Sequence, residues 1–167
     1  MASFQKAKIL SIFISPGHDF KGRHGKSRLN HGSQSVNSVE CLAGRGLVGD
    51  RFLDYKENFK GQVTFFDVSE AKRLETSLGL NDFDPSQLRR NILIEGAELM
   101  HWIGKRFKIG EVVLEGVEEC APCYWMNEAL GQGAETLMQG RGGLRCRILE
   151  SGTLSVGPVE LEGITKG

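Results

Sequence analysis

The sequence predicts a mostly β protein, a closed or partly closed β-barrel with two or three short peripheral helices. Three observations lead to this fold class. Short apolar stretches with the alternation or β-branched content of strands recur along the chain. Turns between them are frequent, as 22 glycines against four prolines indicate. Only two or three stretches have the apolar spacing of a helix, and many short strands favour a mostly antiparallel sheet that closes or nearly closes.

The first strands are predicted from their apolar patterns. Residues 8–15 are rich in β-branched and aromatic side chains, and their two-sided apolarity predicts a central strand that is covered on both faces. Residues 36–42 alternate, which places Val39 and Cys41 together on the buried face. A further strand is predicted at residues 62–66.

The clearest helix signal follows this strand. Residues 67–70, with the sequence Asp-Val-Ser-Glu, predict a capping box at the start of a helix. Ala71, Leu74 and Leu78 then recur at helical spacing, and Gly79 is a typical stop signal. These residues predict a short amphipathic helix on the outside of the barrel.

The second half continues in short pieces. Residues 84–87 repeat the chemistry of a helix start for only a turn or two, because residues 91–95 already have the pattern of a strand. Further strand pieces are predicted at residues 99–103, 107–109 and 112–117. Residues 144–149 alternate, so Cys146 is predicted to lie in the core and its arginine neighbours outside it.

Length and charge exclude several classes of protein. A chain of 167 residues can bury a full core, so we expect a single domain over residues 1–167. Acidic and basic residues balance at 21 each, which predicts no nucleic acid partner. The longest apolar run, residues 9–14, is far too short to cross a membrane, and none is expected as a partner. Four cysteines make no disulfide framework, so we expect a cytoplasmic location.

Two segments are locally basic although the whole chain is neutral. Residues 21–31 carry six basic side chains and no acid, and residues 137–149 carry three arginines and no acid. Such runs are often solvated loop surface, but they can also bind an anion.

A Cys-x-x-C motif is the main candidate for chemistry. Cys120-Ala121-Pro122-Cys123 follows a predicted strand and precedes a predicted helix over residues 124–130, with Pro122 at the first helical position. The positive end of that helix would favour the thiolate of Cys123, lowering its pKa from about 8.5. A thiolate is both a nucleophile and a soft metal ligand. Cys120 is the secondary candidate.

Four interpretations of this motif compete. A zinc site would need two more ligands, and no histidine has a suitable spacing, so no zinc is expected. A thioredoxin-like redox pair would need a βαβ context, which the strands do not provide. Two inert cysteines at a strand end are a third possibility. The fourth is a reactive or metal-binding Cys123 that acts with the basic segments. The glycines of residues 44–51 do not fit a dinucleotide-binding loop.

Five stretches occur together and in one order between residues 38 and 159. They are Gly46-Leu47-Val48-Gly49-Asp50-Arg51, Arg89-Arg90-Asn91-Ile92, Ile103-Gly104 with Phe107-Lys108-Ile109-Gly110, Cys120-Ala121-Pro122-Cys123, and Arg141-Gly142-Gly143-Leu144 leading to Gly152. In this combination the chain resembles the MOSC domains, a family named after the C-terminal domain of molybdenum cofactor sulfurase.

The resemblance implies a MOSC-like β-barrel that binds the molybdenum cofactor, with the key cysteine of the family at Cys123. Family members use this cysteine as a molybdenum ligand in reductases of N-hydroxylated compounds, or are proposed to carry sulfur on it as a persulfide. Binding of the cofactor's phosphate would need charge-assisted donors, for which Arg51, Arg89 and Arg145 are the candidates. No desulfurase domain or iron–sulfur motif is present in the sequence. We therefore expect a separate partner, either an electron donor or a cysteine desulfurase, which is a pyridoxal phosphate enzyme.

Several positions have two interpretations. Asp50 either orients Arg51 or forms a turn. Asn91 either donates to a cofactor oxygen or satisfies the end of a strand. Many relatives have a histidine where this chain has Phe52, so a ligand role is lost at that position. The long basic loop over residues 17–34 is either an anion-binding lid or a solvated insertion.

Overall fold

Strands dominate the computed structural model of the protein, which describes residues 3–17, 32–81, 83–122 and 125–165. The strands of the described residues are β1 (Phe4–Ile14), β2 (Gln34–Val36), β3 (Ser38–Leu42), β4 (Gly46–Leu47), β5 (Val63–Asp67), β6 (Ile92–Glu95), β7 (Arg106–Ile109), β8 (Val112–Glu119), β9 (Leu144–Glu150), β10 (Gly152–Ser155) and β11 (Gly157–Ile164). The α-helices there are α1 (Val68–Leu78), α2 (Trp125–Leu130) and α3 (Ala134–Met138). The predicted mostly β class with a few short helices is confirmed.

Seven strands close into a barrel in the order β11-β7-β8-β9-β5-β6-β1, and β1 then pairs with β11 again. β5 and β6 are parallel, whereas the other pairs are antiparallel. β1 is long enough to pair with β11 through its first half and with β2 through its last residues. A separate small sheet has the order β10-β3-β4. The predicted closed barrel is therefore confirmed.

The core has two parts, and β5 separates them. Side chains of successive strand residues point to opposite faces. Phe65 accordingly packs inside the barrel with Ile9 and Phe107, whereas Phe66 packs under the helices with Leu74. The predicted helix at α1 thus covers the outside of the barrel.

Local capping explains where α1 begins and ends. The carboxylate of Asp67 accepts a hydrogen bond from the backbone N–H of Ser69 at 2.8 Å, and Gly79 ends α1 in the left-handed conformation with φ of 61°. The predicted capping box is wrong at this helix, because Glu70 binds Arg73 and Arg141 instead. A complete capping box is found at the 3₁₀-helix Pro85–Leu88, which begins where the sequence predicts a turn or two of helix.

Two strand predictions need correction. Residues 36–42 do not form one strand, because Val36 belongs to β2 in the barrel sheet while β3 belongs to the small sheet. Residues 99–102 form the 3₁₀-helix Leu99–Trp102 instead of a strand. A short apolar run cannot be assigned from periodicity alone. Trp102 is buried at the barrel end, where only glycine fits at position 116: a Cβ there would lie 2.1 Å from the Trp102 carbonyl oxygen.

Helices in the described part of the chain are too short to cross a membrane, the longest, α1, having 11 residues.

Candidate functional site

A pocket of about 180 Å³ brings together chain segments that are far apart in the sequence. Four arginines, two aromatic rings and the start of the Cys-x-x-C motif form its wall. The lining residues are Arg51, Phe52, Phe59, Gly61, Thr64, Arg89, Arg90, Cys120, Ala121, Met126 and Arg145.

The pocket contains four of the residues predicted from the sequence. Arg51, Arg89, Arg145 and Cys120 all line it, although they come from four different parts of the chain. Cys123 lies outside the described residues, so its predicted role as ligand or sulfur carrier stays a prediction.

Arg51 is held in place from several sides. Its Nη1 lies 3.3 Å from Oδ1 of the buried Asp50, and its Nη2 donates to the backbone carbonyl of Arg89 at 3.4 Å. The guanidinium also lies over the ring of Phe52, 4.6 Å from the ring centroid, which is within the range of a cation–π interaction. The ring of Phe52 therefore supports an arginine of the pocket.

Asp50 has both of the functions considered for it. Its carboxylate accepts hydrogen bonds from the backbone N–H groups of Ser15 and Phe52, at 3.0 and 3.3 Å, which fixes the turn. The same carboxylate contacts Arg51. It lies behind the pocket wall rather than in it, and is the acid that orients Arg51.

Arg89 connects the pocket with residues on either side of the basic segment. The residue has a left-handed backbone with φ of 61°, which turns the chain between the 3₁₀-helix and β6. Its guanidinium donates to Gly17 and Gly32 carbonyls at 2.9 and 3.3 Å. It also donates to the Ser15 and Ser33 hydroxyl groups, both at 3.0 Å. These four residues flank positions 18–31, which lie outside the described residues, so the two interpretations of the basic loop stay predictions.

Arg145 shares a carboxylate with a lysine. Its Nη1 lies 3.7 Å from Glu118 Oε1, and the same oxygen lies 2.8 Å from Lys60 Nζ. The hydrogen bond from Lys60 is the main reason that the pKa of Glu118 is lowered, and the charge of Arg145 contributes further. Since the Glu118 contact is long and partly exposed, Arg145 can exchange it for a ligand anion at little cost.

Asn91 lies behind the pocket and joins three strands. The residue is only 3% exposed. Its Oδ1 accepts hydrogen bonds from the N–H and the hydroxyl of Thr64, and its Nδ2 donates to the Phe13 carbonyl at 3.1 Å. These contacts agree with the interpretation that Asn91 satisfies the end of a strand. Asn91 does not line the pocket.

Arg90 was not selected from the sequence, yet it also lines the pocket. It is 8% exposed, and its three donor nitrogens bind the carbonyl oxygens of Leu88, Cys120 and Gly142 at 2.9, 2.7 and 2.8 Å. Two of these carbonyls are 30 and 52 residues away in the sequence, so no local pattern could have indicated the contact.

Phe59 is the second missed residue of the wall. Its ring stacks on Phe52 with centroids 5.1 Å apart, and Tyr55 meets both rings edge-on. The only sequence signal for this cluster is three aromatic residues within eight positions. The stacked rings give the arginine-rich pocket one apolar side.

The cysteines have different environments. Cys41 and Cys146 are in the barrel core, as predicted. Burial raises the pKa of Cys41 to about 12, and burial also raises the pKa of Cys146 well above its usual value, so both thiols stay protonated at neutral pH. Cys120 is 7% exposed and lies at the pocket wall.

The predicted position of Pro122 needs correction. The proline is not helical, and α2 as described is Trp125–Leu130, so Pro122 is not the first helical residue. The loop before β9 packs against the motif: Cys120 N–H donates to the Gly143 carbonyl, and Gly142 N–H donates to Glu119, at 2.8 and 3.0 Å. In the described part of the chain, no three His, Cys, Asp or Glu side chains group as metal ligands.

Comparisons with known proteins agree with this architecture. The family model described as MOSC domain matches residues 30–159. The chain is similar to the YuaD protein of Bacillus subtilis, with a TM-score of 0.74 and 18% identity over 99% of this chain and 100% of that one. It is also similar to YiiM from Escherichia coli, with a TM-score of 0.63 and 16% identity over 99% and 71% of the two chains. For YiiM from Geobacillus stearothermophilus the TM-score is 0.69, with 15% identity over 96% and 76%. At these identities the structures establish a common fold. None of the curated proteins matches the sequence significantly.

Proposed function

Since the chain belongs to the MOSC domain family, we propose that the arginine-lined pocket binds the anionic part of the molybdenum cofactor and that Cys123 is a thiolate ligand of molybdenum. The family is associated with this cofactor. The observation that carries the proposal is that four arginines line one pocket together with Cys120, which precedes Cys123 by three residues in the sequence.

The residues present fit the phosphate of such a cofactor. Guanidinium groups bind phosphate through short, charge-assisted hydrogen bonds, often two at a time. Arg51 is already oriented by Asp50, and Arg145 has only a long contact with Glu118 to give up. Arg90 adds positive charge, although its hydrogen bonds are directed to carbonyl groups.

Pocket size limits how much of the cofactor these residues enclose. Pockets that enclose a whole small ligand usually measure about 300–1,000 Å³. A volume of about 180 Å³ is smaller, and suits a phosphate with part of the attached ring system. The apolar side formed by Phe52 and Phe59 can then exclude water from one side of the bound group.

Under this proposal the protein reduces N-hydroxylated or N-oxide-type compounds. Reduction of an N–OH group to N–H consumes two electrons and two protons and releases water. Bound molybdenum would supply the two-electron chemistry. The electrons would come from a separate donor protein. The residues of the chain bind and orient. Arg51 and Arg145 hold the anion, and Arg89 adds positive charge, because both of its Nη atoms already donate to carbonyl and hydroxyl oxygens. Cys123 provides the sulfur ligand.

The small pocket favours a second candidate function. A sulfur-carrier module would hold a persulfide on Cys123, receive its sulfur from a cysteine desulfurase, and deliver it to the assembly of a metal cofactor. A persulfide anion is small and negative, so about 180 Å³ lined by arginines is sufficient for it. This function needs no turnover by the protein alone.

The first test is direct binding of the cofactor. Purified protein would be titrated with molybdenum cofactor under anaerobic conditions, using the wild type, Arg51→Gln, Arg145→Gln and the control Arg73→Gln. Arg73 binds Glu70 on α1 and does not line the pocket. Loss of one charge-assisted contact should weaken binding about 10-fold or more, from about 1.5–3 kcal/mol per contact. No binding by the wild type, or equal losses in all three variants, would refute cofactor binding at this pocket.

A second test separates the carrier from the reductase. The wild type and Cys123→Ser would be incubated with cysteine and a cysteine desulfurase, and their intact masses measured. A carrier gains one sulfur atom that cyanide removes, and the Cys123→Ser variant does not. An unchanged wild-type mass would contradict the carrier function and leave the reductase function as the candidate.

A further inference from the structure

Glu118 places a negative charge at the edge of the arginine-lined pocket. Its Oε1 lies 2.8 Å from Lys60 Nζ and 3.7 Å from Arg145 Nη1, so one oxygen serves both cations. Arg145 lines the pocket, and Lys60 stands between two other residues of the wall, Phe59 and Gly61. The carboxylate thus binds two cations that a ligand phosphate would also attract.

We infer that Glu118 is an internal counter-ion of the pocket, which binds Lys60 and Arg145 in the protein without a ligand and is displaced by a ligand phosphate. Lys60 then becomes an anion-binding residue in addition to the arginines of the wall. The inference rests on one part of the proposed function, that the pocket binds an anion. It does not depend on how molybdenum is held.

A β-bulge at Val117 places Glu118 opposite Arg145. Gly116 pairs with Cys146 of β9. The next pair is Glu118 with Arg145, so Val117 is the extra residue of β8. Without the bulge, the alternation of β8 would put Val117 at this position and turn Glu118 to the other face of the sheet. Bulges beside functional sites commonly redirect a side chain, and this one brings an acid to an arginine of the pocket.

Lys60 is positioned to share a ligand with Arg145. A Cβ at Gly61 would lie 3.7 Å from Arg145 Cδ and 3.2 Å from a carbon of the Phe59 ring. The backbone next to Lys60 therefore packs directly against the arginine. Because both cations reach the same carboxylate oxygen, an anion placed between them can reach both as well.

Displacement of Glu118 requires little free energy. The side chains of Glu118, Lys60 and Arg145 are 42, 46 and 30% exposed, and ion pairs this exposed stabilise a protein only weakly. A phosphate dianion carries twice the charge of the carboxylate and several acceptor oxygens, so it competes well for the same donors. The displaced carboxylate can turn towards solvent, because it is already partly exposed.

The test measures phosphate binding in protein without molybdenum. The wild type, Glu118→Gln, Lys60→Gln and the double variant would be titrated with inorganic phosphate at pH 8. The amide shifts of Phe59 and Gly61, followed by NMR, report binding at the pocket, and the same spectra show that each variant is folded. Glu75→Gln is the control, because it removes one negative charge from an exposed position on α1 outside the pocket.

The single replacement of Glu118 should strengthen phosphate binding. Glu118→Gln removes a like charge beside the bound dianion and frees both cations, so we expect a dissociation constant about 10-fold lower than that of the wild type. The control Glu75→Gln has the same net charge as Glu118→Gln and should keep the wild-type value.

The double variant separates displacement from repulsion over a distance. If phosphate takes Lys60 from Glu118, Lys60→Gln removes a phosphate contact and also a competing contact, and the two effects partly cancel. In the Glu118→Gln background nothing cancels. The replacement of Lys60 should therefore weaken binding about 10-fold there, against about 3-fold in the wild type. Charges that act only over a distance would give equal effects in both backgrounds.

Three results would overturn the inference. They are a Glu118→Gln protein that binds phosphate no more tightly than the wild type, additive effects of the two replacements, and no phosphate binding at residues 59–61 in either the wild type or Glu118→Gln. Failure of the proposed function is a separate outcome. If the phosphate titrations show the expected coupling but no molybdenum cofactor binds, the proposed function is wrong and the displacement of Glu118 stands.

Discussion

Gly142 provides a sharp test of how the Cys-x-x-C motif is held. Replacement by alanine would place a Cβ 2.2 Å from the carbonyl oxygen of Cys120, whereas ordinary contacts begin near 3.4 Å. The two segments would have to separate by about 1 Å. Gly142 lacks a positive φ, so the expected cost arises from this close approach and not from backbone strain.

The magnitude follows from the hydrogen bonds that join the segments. Arg90 cannot bind both Gly142 and Cys120 after such a separation, and one hydrogen bond to a charged donor is worth about 1.5–3 kcal/mol. Forced overpacking adds about 1–3 kcal/mol. We expect a loss of about 3–4 kcal/mol in the free energy of unfolding, which lowers Tm by roughly 10 °C in a protein of this size.

The assay is urea unfolding together with a thermal scan, and Gly140→Ala is the matched control. Gly140 lies in the same loop with φ of 74°, and a Cβ there would meet nothing within 4 Å. Its replacement should cost only about 1–2 kcal/mol, from left-handed backbone strain. If Gly142→Ala costs no more than Gly140→Ala, the close contact at the motif is not as described.

Four further outcomes follow from the structure. Cys41 and Cys146 should resist alkylation in the native protein at pH 8, because burial raises the pKa of both thiols. Rapid modification of either cysteine would contradict their burial. The unfolded chain loses those thiol protons near pH 9, whereas the folded chain keeps them. The free energy of unfolding should therefore fall as pH rises above about 9, and it should fall less steeply in Cys41→Ala. Asp67→Ala should cost about 1 kcal/mol in urea unfolding through loss of the α1 cap, and an unchanged midpoint would refute the capping role. Asn91→Leu should cost about 2 kcal/mol or more, because it leaves the N–H and hydroxyl of Thr64 without their acceptor; a cost below 0.5 kcal/mol by the same method would refute that.

Local sequence patterns predicted the elements whose side chains alternate or repeat regularly. The alternation in β9 correctly placed Cys146 in the core, and Asp67 with Gly79 correctly bounded α1. The pattern failed at Leu99–Trp102, because a short apolar run does not by itself distinguish a strand from a helix. The buried residues Leu99 and Trp102 are three positions apart, which is the repeat of a 3₁₀-helix. Tertiary packing decides such short runs.

Sequence motifs predicted those residues of the candidate site that belong to a motif. They missed the residues that only long-range contacts bring to the site. Arg51, Arg89, Arg145 and Cys120 belong to recognisable stretches and meet at one pocket. The carbonyl contacts of Arg90 join segments separated by tens of residues, so they depend on barrel closure and no local pattern indicates them.

The central proposal is that Cys123 is a ligand of molybdenum and that the arginine-lined pocket binds the anionic part of the cofactor. The most direct measurement is the molybdenum content of protein purified from a host that makes the cofactor, for the wild type, Cys123→Ser and the control Cys41→Ala. Cys41 lies in the barrel core and does not line the pocket. The account predicts stoichiometric molybdenum in the wild type and in Cys41→Ala, and a large loss in Cys123→Ser. Absence of molybdenum from the wild type, or equal content in Cys123→Ser, would contradict it.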